Sequence, residues 1–469
     1  MTAVACPSAG GLQAIEWTMG CKNFGAAPMN QTNLKSFIMK KLFLTAAAAL
    51  ALTAAAAQSY EPSAEIKKAQ QEFQDQKFGI FLHWGIYSML GQGEWVMHNR
   101  DINYQEYRHL ADGFYPSKFN ANEWVEAFKD AGAKYVTFTT RHHDSFSMFK
   151  TAASTYNIVD GTPYAHDVLA DLANACHKEG LSLHLYYSHL DWQRPDYPLG
   201  RTGKGTGRPT DQQDYNGYLK FMEQQLTELL TNYGRVDCIW FDGWWDHDSD
   251  PTPFDWRLDE QYQLIHKLQP QCLVANNHHQ SPFSGEDIQI FERDVPGENK
   301  AGLSGQDVSQ LPLETCQTMN DSWGYKITDK NYKSADDIIR LLVNTAGRNA
   351  NLLLNIGPRP DGKLPQESLD RLKAIGKWMR ANGETIYGTR GGIVAPHDWG
   401  ATTQRGKTLY VHILNLQDKS LFLPVENVRK AVMYADKKPV AVTRCPGGVT
   451  LSLSSIPSGV DTIVEVTLK

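Results

Sequence analysis

The chain has 469 residues, of which 41% are hydrophobic and 21% are charged, and its formal net charge is −6. This is the composition of an ordinary globular protein, and the acidic balance argues against a nucleic-acid-binding surface or attraction to an anionic membrane. The seven cysteines are scattered without a C-x-x-C pair, which argues against a disulfide framework and a structural zinc site.

The amino-terminal part has the pattern of an export signal that begins at Met39. Two lysines are followed by an apolar run of Leu, Ala and Phe, and small residues end the run at Ala57. The run is shorter than the ~20 apolar residues of a membrane-spanning helix, and no cysteine for a lipid anchor stands at the cleavage point. We therefore expect a signal peptide over 39–57, preceded by an over-long gene-model extension over 1–38. The mature chain is expected in the periplasm or secreted, without a membrane anchor.

From residue 78 onward, apolar β-like runs alternate with segments of helical periodicity. Seven runs are predicted as strands: FGIFLHWG (78–85), YVTFTTRHH (135–143), LSLHLYYSH (181–189), VDCIWFDG (236–243), CLVANNHH (272–279), DIQIFERD (287–294) and NLLLNIGP (351–358). Six segments are predicted as helices: 120–133, 166–180, 212–234, 260–270, 334–348 and 365–383. Near-continuous apolar strands separated by helices are typical of a parallel sheet that is covered on both faces. The pattern favours an α/β fold, an eight-fold (β/α) barrel with irregular final units, over an open doubly wound sheet.

The pattern changes after Gly391, where helical periodicity ends. Short alternating runs follow: TLYVHILNL, SLFLPV, AVMYA, VTLSLSSI and DTIVEVTL. They predict a small antiparallel β-sandwich over 391–469, appended to a catalytic barrel over 58–390. Such a domain could serve in surface adhesion or support the barrel, and we favour the support.

Polar side chains stand at the carboxyl ends of the predicted strands, where the active groups of a barrel cluster. They are His83, His142 and His143, Tyr186 and Tyr187, Asp242, His278 and His279, and Glu292. Together they predict a pocket with two carboxylates, several imidazoles and aromatic walls. Glycoside hydrolysis needs two carboxylates that flank an acetal, and Asp242 of VDCIWFDGWWDHD, followed by Trp244 and Trp245, supplies the first.

Two other kinds of protein fit parts of this pattern. A metal-dependent hydrolase could use His142 and His143, but adjacent strand residues point to opposite faces, so both would face inward only at a bulge. A non-catalytic glycan-binding barrel would keep the aromatic residues and lose a carboxylate, whereas Asp242 is present. We therefore predict an enzyme that uses neither a metal nor another cofactor.

Seven motifs in order resemble glycoside hydrolase family 29, the α-L-fucosidases. They are FGIFLHWGIYS (78–88), GEW (93–95), RHHDSF (141–146), LYYSHLDW (185–192), WFDGWW (240–245), LETCQTMNDSWGY (313–325) and LLLNIGPRPDGKLP (352–365). The resemblance implies a (β/α) barrel with a carboxyl-terminal β-sandwich. It also implies retaining hydrolysis of terminal α-linked L-fucose through a covalent fucosyl-enzyme, with a fucosylated oligosaccharide or glycoconjugate as the substrate. No motif specifies an oligomeric state.

The resemblance implies that Asp242 is the nucleophile and that a glutamate further along the chain is the general acid/base. We choose Glu292, because the segment from Asp287 to Glu292 is similar to the acid/base segment of the family. The alternatives are Glu286, Glu298 and Glu314, with Glu314 as the runner-up. A retaining enzyme should hold its two carboxylates about 5–5.5 Å apart.

The resemblance further implies a set of residues that hold the hydroxyls and the ring face of the sugar. They are His83, Glu94, Trp95, His142, His143, Tyr187, His278 and Trp323. Of Tyr186 and Tyr187, which alternate across a strand, Tyr187 is expected to face inward. Some family members have an arginine near the end of the fifth strand, where this chain reads ANNHH, and His278 is expected to take its role. The loops 191–215 and 295–312 are expected to determine the linkage preference.

Overall fold

Eight parallel strands form the first sheet of the structure, a computed structural model that describes residues 60–469. The strands are β1 Phe78–Leu82, β2 Tyr135–Arg141, β3 Ser182–Ser188, β4 Cys238–Asp242, β5 Leu273–Asn277, β6 Gln289–Glu292, β7 Leu313–Thr318 and β8 Ala350–Ile356. Their order is β5-β4-β3-β2-β1-β8-β7-β6. Within the described residues, β5 and β6 are joined by one isolated bridge, Ala275 to Ile288, instead of a ladder. The sheet is therefore a nearly closed barrel, which confirms the predicted fold class and its irregular part.

Nine α-helices are present in residues 60–469. They are α1 Ala64–Gln76, α2 Val96–Asn99, α3 Tyr104–Arg108, α4 Ala121–Ala131, α5 Val168–Glu179, α6 Tyr215–Asn232, α7 Leu258–Leu268, α8 Ala335–Gly347 and α9 Gln366–Asn382. Helices α4 and α5 begin at side-chain caps, Asn120 and Asp167, and end at left-handed glycines, Gly132 and Gly180. In this part of the chain no helix separates β5 from β6 or β6 from β7, so the barrel is irregular at that side.

Four described helices and strands of the barrel were not predicted: the short helices α2 and α3, strand β7 and helix α1. Strand β7 has the sequence LETCQT. Its polar composition does not predict a strand, although the strand is almost wholly buried. Helix α1 is largely polar, and Ile66, Ala69 and Phe73 are its buried residues. It packs near the amino-terminal ends of the strands, where Asn351 donates a hydrogen bond to the carbonyl of Phe73.

The second sheet is antiparallel and comprises eight strands. They are β9 Arg390–Gly391, β10 Gly400–Arg405, β11 Thr408–Ile413, β12 Ser420–Leu423, β13 Val428–Met433, β14 Pro439–Cys445, β15 Gly448–Ser452 and β16 Thr462–Leu468. Their order is β12-β15-β14-β13-β16-β11-β10-β9, around a core that contains Val411, Leu423, Leu451 and Val466. This agrees with the predicted antiparallel sandwich, although β9, β10 and β14 were not predicted from their short or polar sequences.

The second sheet contacts the barrel through α8. A Cβ atom on Gly347 would lie 2.6 Å from the Cβ of Ala401, so only glycine allows this close approach. Arg340 of α8 donates hydrogen bonds to the carbonyls of Leu414 and Gly459. These contacts suit a domain that supports the barrel.

The predicted signal peptide, the 1–38 segment, Cys6 and Cys21 lie outside the described residues. The cysteines from residue 60 onward are unpaired: Cys176, Cys238, Cys272, Cys316 and Cys445. All but Cys445 are buried, which fits their predicted role as small apolar residues of the core. Every helix in residues 60–469 is too short or too polar to cross a bilayer.

Candidate active site

A cavity of about 200 Å³ opens at the carboxyl ends of the barrel strands. It is lined by Phe81, His83, Glu94, Trp95, His142, Tyr186, Arg201, Trp240, Asp242, Trp245, Asn277, His279, Glu292, Leu303, Cys316 and Trp323. Its volume is below the roughly 300–1,000 Å³ of clefts that hold drug-sized ligands, so it suits a single sugar residue.

The carboxylate of Asp242 is held by hydrogen bonds at the end of β4. Its Oδ1 accepts from the backbone N–H of Gly243 at 2.8 Å and from the indole of Trp245 at 3.0 Å. Its Oδ2 accepts from the hydroxyl of Tyr186 at 2.9 Å. Burial and the negative charge of Glu292 nevertheless raise the pKa of Asp242 to about 6. Asp242 is therefore mostly ionised at neutral pH and becomes protonated in mild acid.

The second carboxylate of the cavity, Glu292, lies at the end of β6. Its Oε2 accepts a hydrogen bond from Nδ2 of Asn277 at 2.8 Å, and the same nitrogen lies 3.4 Å from Oδ1 of Asp242. Oδ1 of Asp242 and Oε2 of Glu292 are therefore separated by at most the sum of these two distances. This limit is below the about 6.5 Å at which the range of inverting glycosidases begins, and it is compatible with the separation in retaining ones.

His279 also binds Glu292, with its Nε2 located 3.0 Å from Oε2. Burial alone would raise the pKa of Glu292, but the hydrogen bond and charge of His279, with the bond from Asn277, lower it overall. Burial alone would likewise lower the pKa of His279, and the bond to Glu292 raises it overall. Their contact therefore favours a protonated imidazole beside an ionised carboxylate.

The expectation that Tyr187 faces the cavity is wrong, and Tyr186 takes that place. In the ladder between β3 and β4, Tyr186 pairs with Trp240 and Ser188 pairs with Asp242. Paired residues on neighbouring strands point to the same face, so the inward direction of Asp242 also directs Tyr186 inward. Tyr187 points to the helix layer, where its hydroxyl donates to Gln225 of α6 at 2.8 Å.

The expectation that His278 lines the cavity is wrong for the same reason. Asp242 pairs with Asn277 in the ladder to β5, so Asn277 points inward and the next side chain points away. His278 forms a hydrogen bond with Glu286 at 2.9 Å and packs on Phe283. His279, with φ of 63°, turns its ring back to the cavity.

His142 and His143 both approach the cavity, because the strand has the bulge that adjacent inward residues require. The ladder between β2 and β3 shifts register between Thr139 and Arg141. His142 lines the cavity, and its Nδ1 has no hydrogen-bond partner among the described residues. His143 lies behind it, with Nε2 located 3.5 Å from Oδ2 of Asp242. It therefore contacts the carboxylate instead of lining the cavity.

His83, Glu94, Trp95 and Trp323 line the cavity as expected. Nδ1 of His83 lies 2.7 Å from Oδ1 of Asn355, whose amide nitrogen donates to the carbonyl of Trp323. Asn355 Oδ1 is therefore an acceptor, and His83 donates from Nδ1 and presents an unprotonated Nε2. Burial lowers the pKa of His83 to about 3, so this neutral form persists across the physiological range.

The other candidate carboxylates are bound elsewhere. Glu286 accepts hydrogen bonds from Tyr262 and His278, and Glu298 forms ion pairs with Lys300 and Arg348.

Glu314 lies inside the barrel, below the cavity. It accepts from the hydroxyl of Tyr135 at 2.7 Å and from the indole of Trp240 at 2.8 Å. Burial raises the pKa of Glu314 to about 7. It does not line the cavity and supports the side chain of Trp240, which does.

The sequence reasoning missed several cavity residues. Asn277, Trp240, Phe81 and Cys316 could have been found only from the strand register, since each shares the inward face of its strand. His279 was noted at the end of its strand but was not chosen as a site residue. Arg201 and Leu303 come from the two loops that were expected to determine linkage preference. Trp245, noted only as an aromatic neighbour, donates to Asp242 and stacks on Trp95 at 5.6 Å.

Metal coordination finds no support in the described side chains. Among residues 60–469, no group of three or more His, Cys, Asp or Glu residues is arranged to hold a metal ion.

Comparisons with known proteins identify the family of the chain. The family model described as Alpha-L-fucosidase matches residues 47–384. The tissue alpha-L-fucosidase of Mus musculus is 30% identical over 368 residues, which cover 72% of this chain and 74% of that protein. The solved structure of alpha-L-fucosidase isoenzyme 1 from Paenibacillus thiaminolyticus is 34% identical, has a TM-score of 0.76, and covers 86% of this chain and 100% of its own.

A second solved structure carries information about chemistry. It is a GH29 alpha-L-fucosidase from Bacteroides thetaiotaomicron, trapped as a covalent intermediate in complex with 2-fluoro-fucosyl fluoride. It is 25% identical, has a TM-score of 0.75, and covers 88% of this chain and 98% of its own. The chain described here belongs to the alpha-L-fucosidases, the glycoside hydrolases of family 29.

Proposed function

We propose that this enzyme is an exported, retaining α-L-fucosidase that removes terminal α-linked L-fucose from glycans, with Asp242 as the nucleophile and Glu292 as the general acid/base. The observation that carries the proposal is the amide of Asn277, which lies between the two carboxylates. It limits the separation of their nearest described oxygens to less than the range of inverting glycosidases, which is compatible with a retaining enzyme. The trapped covalent intermediate of the relative from Bacteroides thetaiotaomicron supports the same stereochemical course.

In the first step, a carboxylate oxygen of Asp242 forms a bond to the anomeric carbon while the bond to the glycosidic oxygen breaks. Glu292 donates its proton to that oxygen, so the aglycone leaves as a neutral alcohol. The hydrogen bonds from Trp245 and Tyr186 keep Asp242 ionised against the effect of burial, which the nucleophile requires.

In the second step, the carboxylate of Glu292 takes a proton from a water molecule. The water oxygen bonds to the anomeric carbon, the ester bond to Asp242 breaks, and L-fucose leaves with its original configuration. Both carboxylates then have the protonation states with which the cycle began.

The walls of the cavity suit a 6-deoxy sugar. The unprotonated Nε2 of His83 accepts a hydrogen bond from a sugar hydroxyl, and the ring of His142, which also lines the cavity, binds another. Phe81 and Trp323, whose ring centroids lie 6.0 Å apart, provide an apolar surface for the C5 methyl group.

The test is hydrolysis of an aryl α-L-fucoside with a good leaving group by the wild type, Asp242→Gly and Glu292→Ala, with and without azide. We expect Asp242→Gly to lose roughly 10³-fold or more in kcat, and azide to restore turnover with β-fucosyl azide as the product. Glu292→Ala should yield α-fucosyl azide, because azide then attacks the fucosyl-enzyme in place of water.

Glu314→Ala is the matched control, since Glu314 is a second buried glutamate on a neighbouring strand. It should yield no fucosyl azide. If Glu292→Ala hydrolyses the fucoside at the wild-type rate while Glu314→Ala forms the azide product, the acid/base role belongs to Glu314 and the assignment is wrong.

Export is proposed from the sequence of residues 39–57. Tyr60 is the first described residue, and its hydroxyl donates a hydrogen bond to Asp287, a contact that cleavage after Ala57 would keep. Amino-terminal sequencing of the periplasmic and secreted fractions should give a chain that begins at Gln58. Recovery of the protein only in the cytoplasm, with residues 39–57 still attached, would contradict this.

A further inference from the structure

His279 occupies a position that ordinary strand geometry does not provide. Strand β5 ends at Asn277, and a left-handed backbone at His279, with φ of 63°, turns its ring toward the cavity. A non-glycine residue in this region of the Ramachandran map is uncommon and persists where other contacts hold it. The contact that holds His279 is the hydrogen bond to Glu292 at 3.0 Å.

The hydrogen bonds of Glu292 are distributed unequally between its two oxygens. Oε2 accepts from both Asn277 and His279, whereas Oε1 has no hydrogen-bond partner among the described residues. Glu292 lines the cavity, so Oε1 is the oxygen available to the glycosidic bond. His279 thus binds the oxygen of Glu292 other than the unpartnered Oε1.

The charges around this pair come from several elements. The carboxylate of Asp242 favours the protonated form of His279, and Arg201 on the loop after β3 opposes it. Arg293 lowers the pKa of Glu292. The other titratable groups that interact with Glu292 are His83, Glu94 and Cys316.

We propose that His279 is a positioning residue that shares one proton with Glu292, so that the acid/base of the reaction is the imidazole–carboxylate pair and not the glutamate alone. The inference rests on the proposed function, in which Glu292 protonates the leaving group. In the empty site the pair holds its proton on His279. For the first step the imidazole gives up the proton from Nδ1 through solvent, and the carboxylate gains a proton at Oε1.

The proton that His279 and Glu292 together lose in the first step is restored to them in the second. After Oε1 donates its proton to the glycosidic oxygen, His279 is neutral and Glu292 is ionised, which is the state that takes a proton from water in the second step. That proton returns the pair to its starting charge. The hydrogen bond from Nε2 to Oε2 remains in place throughout and keeps Oε1 directed at the sugar.

This arrangement determines the alkaline side of the pH profile. The pair loses its shared proton at a higher pH than Glu292 would alone, because His279 adds a second site for it. A glutamine at 279 keeps a neutral N–H donor for Oε2 and removes the proton site. We therefore expect His279→Gln to move the alkaline limb of kcat/KM to lower pH by about one unit.

The experiment compares the wild type, His279→Gln and Glu292→Gln on two substrates, 4-nitrophenyl and unsubstituted phenyl α-L-fucoside. For His279→Gln we expect the shifted limb on the phenyl fucoside, little change in KM, and a smaller effect with the acidic nitrophenol leaving group. The control is His109→Gln, which removes an exposed imidazole paired with Asp112 at 2.8 Å, far from any assigned role. It should leave the pH profile unchanged.

A uniform loss of rate in His279→Gln at every pH, with an unmoved alkaline limb, overturns the inference and leaves His279 a structural role. Failure of the proposed function has a different signature, seen in Glu292→Gln. If that variant hydrolyses both fucosides equally well at the wild-type rate, Glu292 is not the acid/base, whatever His279 does.

Discussion

The two catalytic carboxylates of the proposed mechanism stand on sides of the barrel that are built differently. Asp242 ends β4, which has full parallel ladders to β3 and β5. Glu292 ends the four-residue β6, which has a ladder to β7, while an isolated bridge is the link to β5 in the described chain. Ladders on both sides therefore fix the strand that carries Asp242, whereas Glu292 stands on a strand with one ladder and is held by side-chain hydrogen bonds from Asn277 and His279.

The difference teaches that the two roles need different support. A nucleophile must stay ionised and aligned with one carbon atom, which buried donors at the end of a regular strand provide. An acid/base must exchange protons, which a carboxylate at an open side of the barrel with a histidine beside it can do. Three substitutions test this contrast.

The largest effect is expected from Asn277→Ala, which removes the amide between the carboxylates. If side chains position Glu292, kcat/KM should fall by roughly 10- to 100-fold, measured with the phenyl fucoside. Asn276→Ala is the control, because the amide of Asn276 points to Tyr262 at 2.8 Å outside the cavity. It should cost about 1 kcal/mol in the free energy of unfolding and leave kcat unchanged. Equal losses of activity in both variants would contradict the contrast.

A smaller effect is expected from Tyr186→Phe, on the regular side. The pKa of Asp242 is raised to about 6, first by burial, and the hydrogen bond from Tyr186 opposes that shift. The ionised form is the active one, so activity should fall as the pH drops through about 6. Removing the hydroxyl should move this acid limb to higher pH, with a loss of a few-fold in kcat at neutral pH.

Tyr187→Phe provides the matched comparison for that measurement. Its hydroxyl binds Gln225 in the helix layer, so its removal should lower stability and not the acid limb. A shifted limb in Tyr187→Phe, or none in Tyr186→Phe, would show that the strand register assigned to β3 is wrong.

The smallest effect on activity is expected from Glu314→Gln, with kcat/KM within about threefold of the wild type. Burial raises the pKa of Glu314 to about 7, because the ionised carboxylate is less stable than the protonated one in the interior of the barrel. The wild type should lose stability relative to the variant as the pH rises from the unfolded pKa of Glu314 through 7, by an amount on the order of 1–3 kcal/mol. Thermal unfolding from pH 5 to 8 measures this, and parallel curves would contradict it.

The same contrast explains what the sequence could predict. On the regular side, apolar runs that end in His83, His142 and Asp242 predicted both the strands and their polar ends. The errors at Tyr187 and His278 came from register, since period-two alternation does not specify which face is inward until one strand is paired with its neighbour. Once Asp242 is known to face inward, its strand partners Ser188 and Asn277 determine the inward face of β3 and of β5.

On the irregular side, local sequence carried less information. Strand β7 contains Glu314 and Gln317, whose polar side chains find partners only in the folded barrel. The turn that directs His279 into the cavity depends on a left-handed residue that is not a glycine, which no sequence pattern predicts.

The most direct test of the central claim is to trap the intermediate on this enzyme with 2-fluoro-fucosyl fluoride and map the label by mass spectrometry. The account predicts one 2-fluorofucosyl group per chain, on the peptide that contains Asp242, and faster trapping in the wild type than in Tyr186→Phe at pH 6. A label on any other residue, or steady turnover without a covalent adduct, would contradict it.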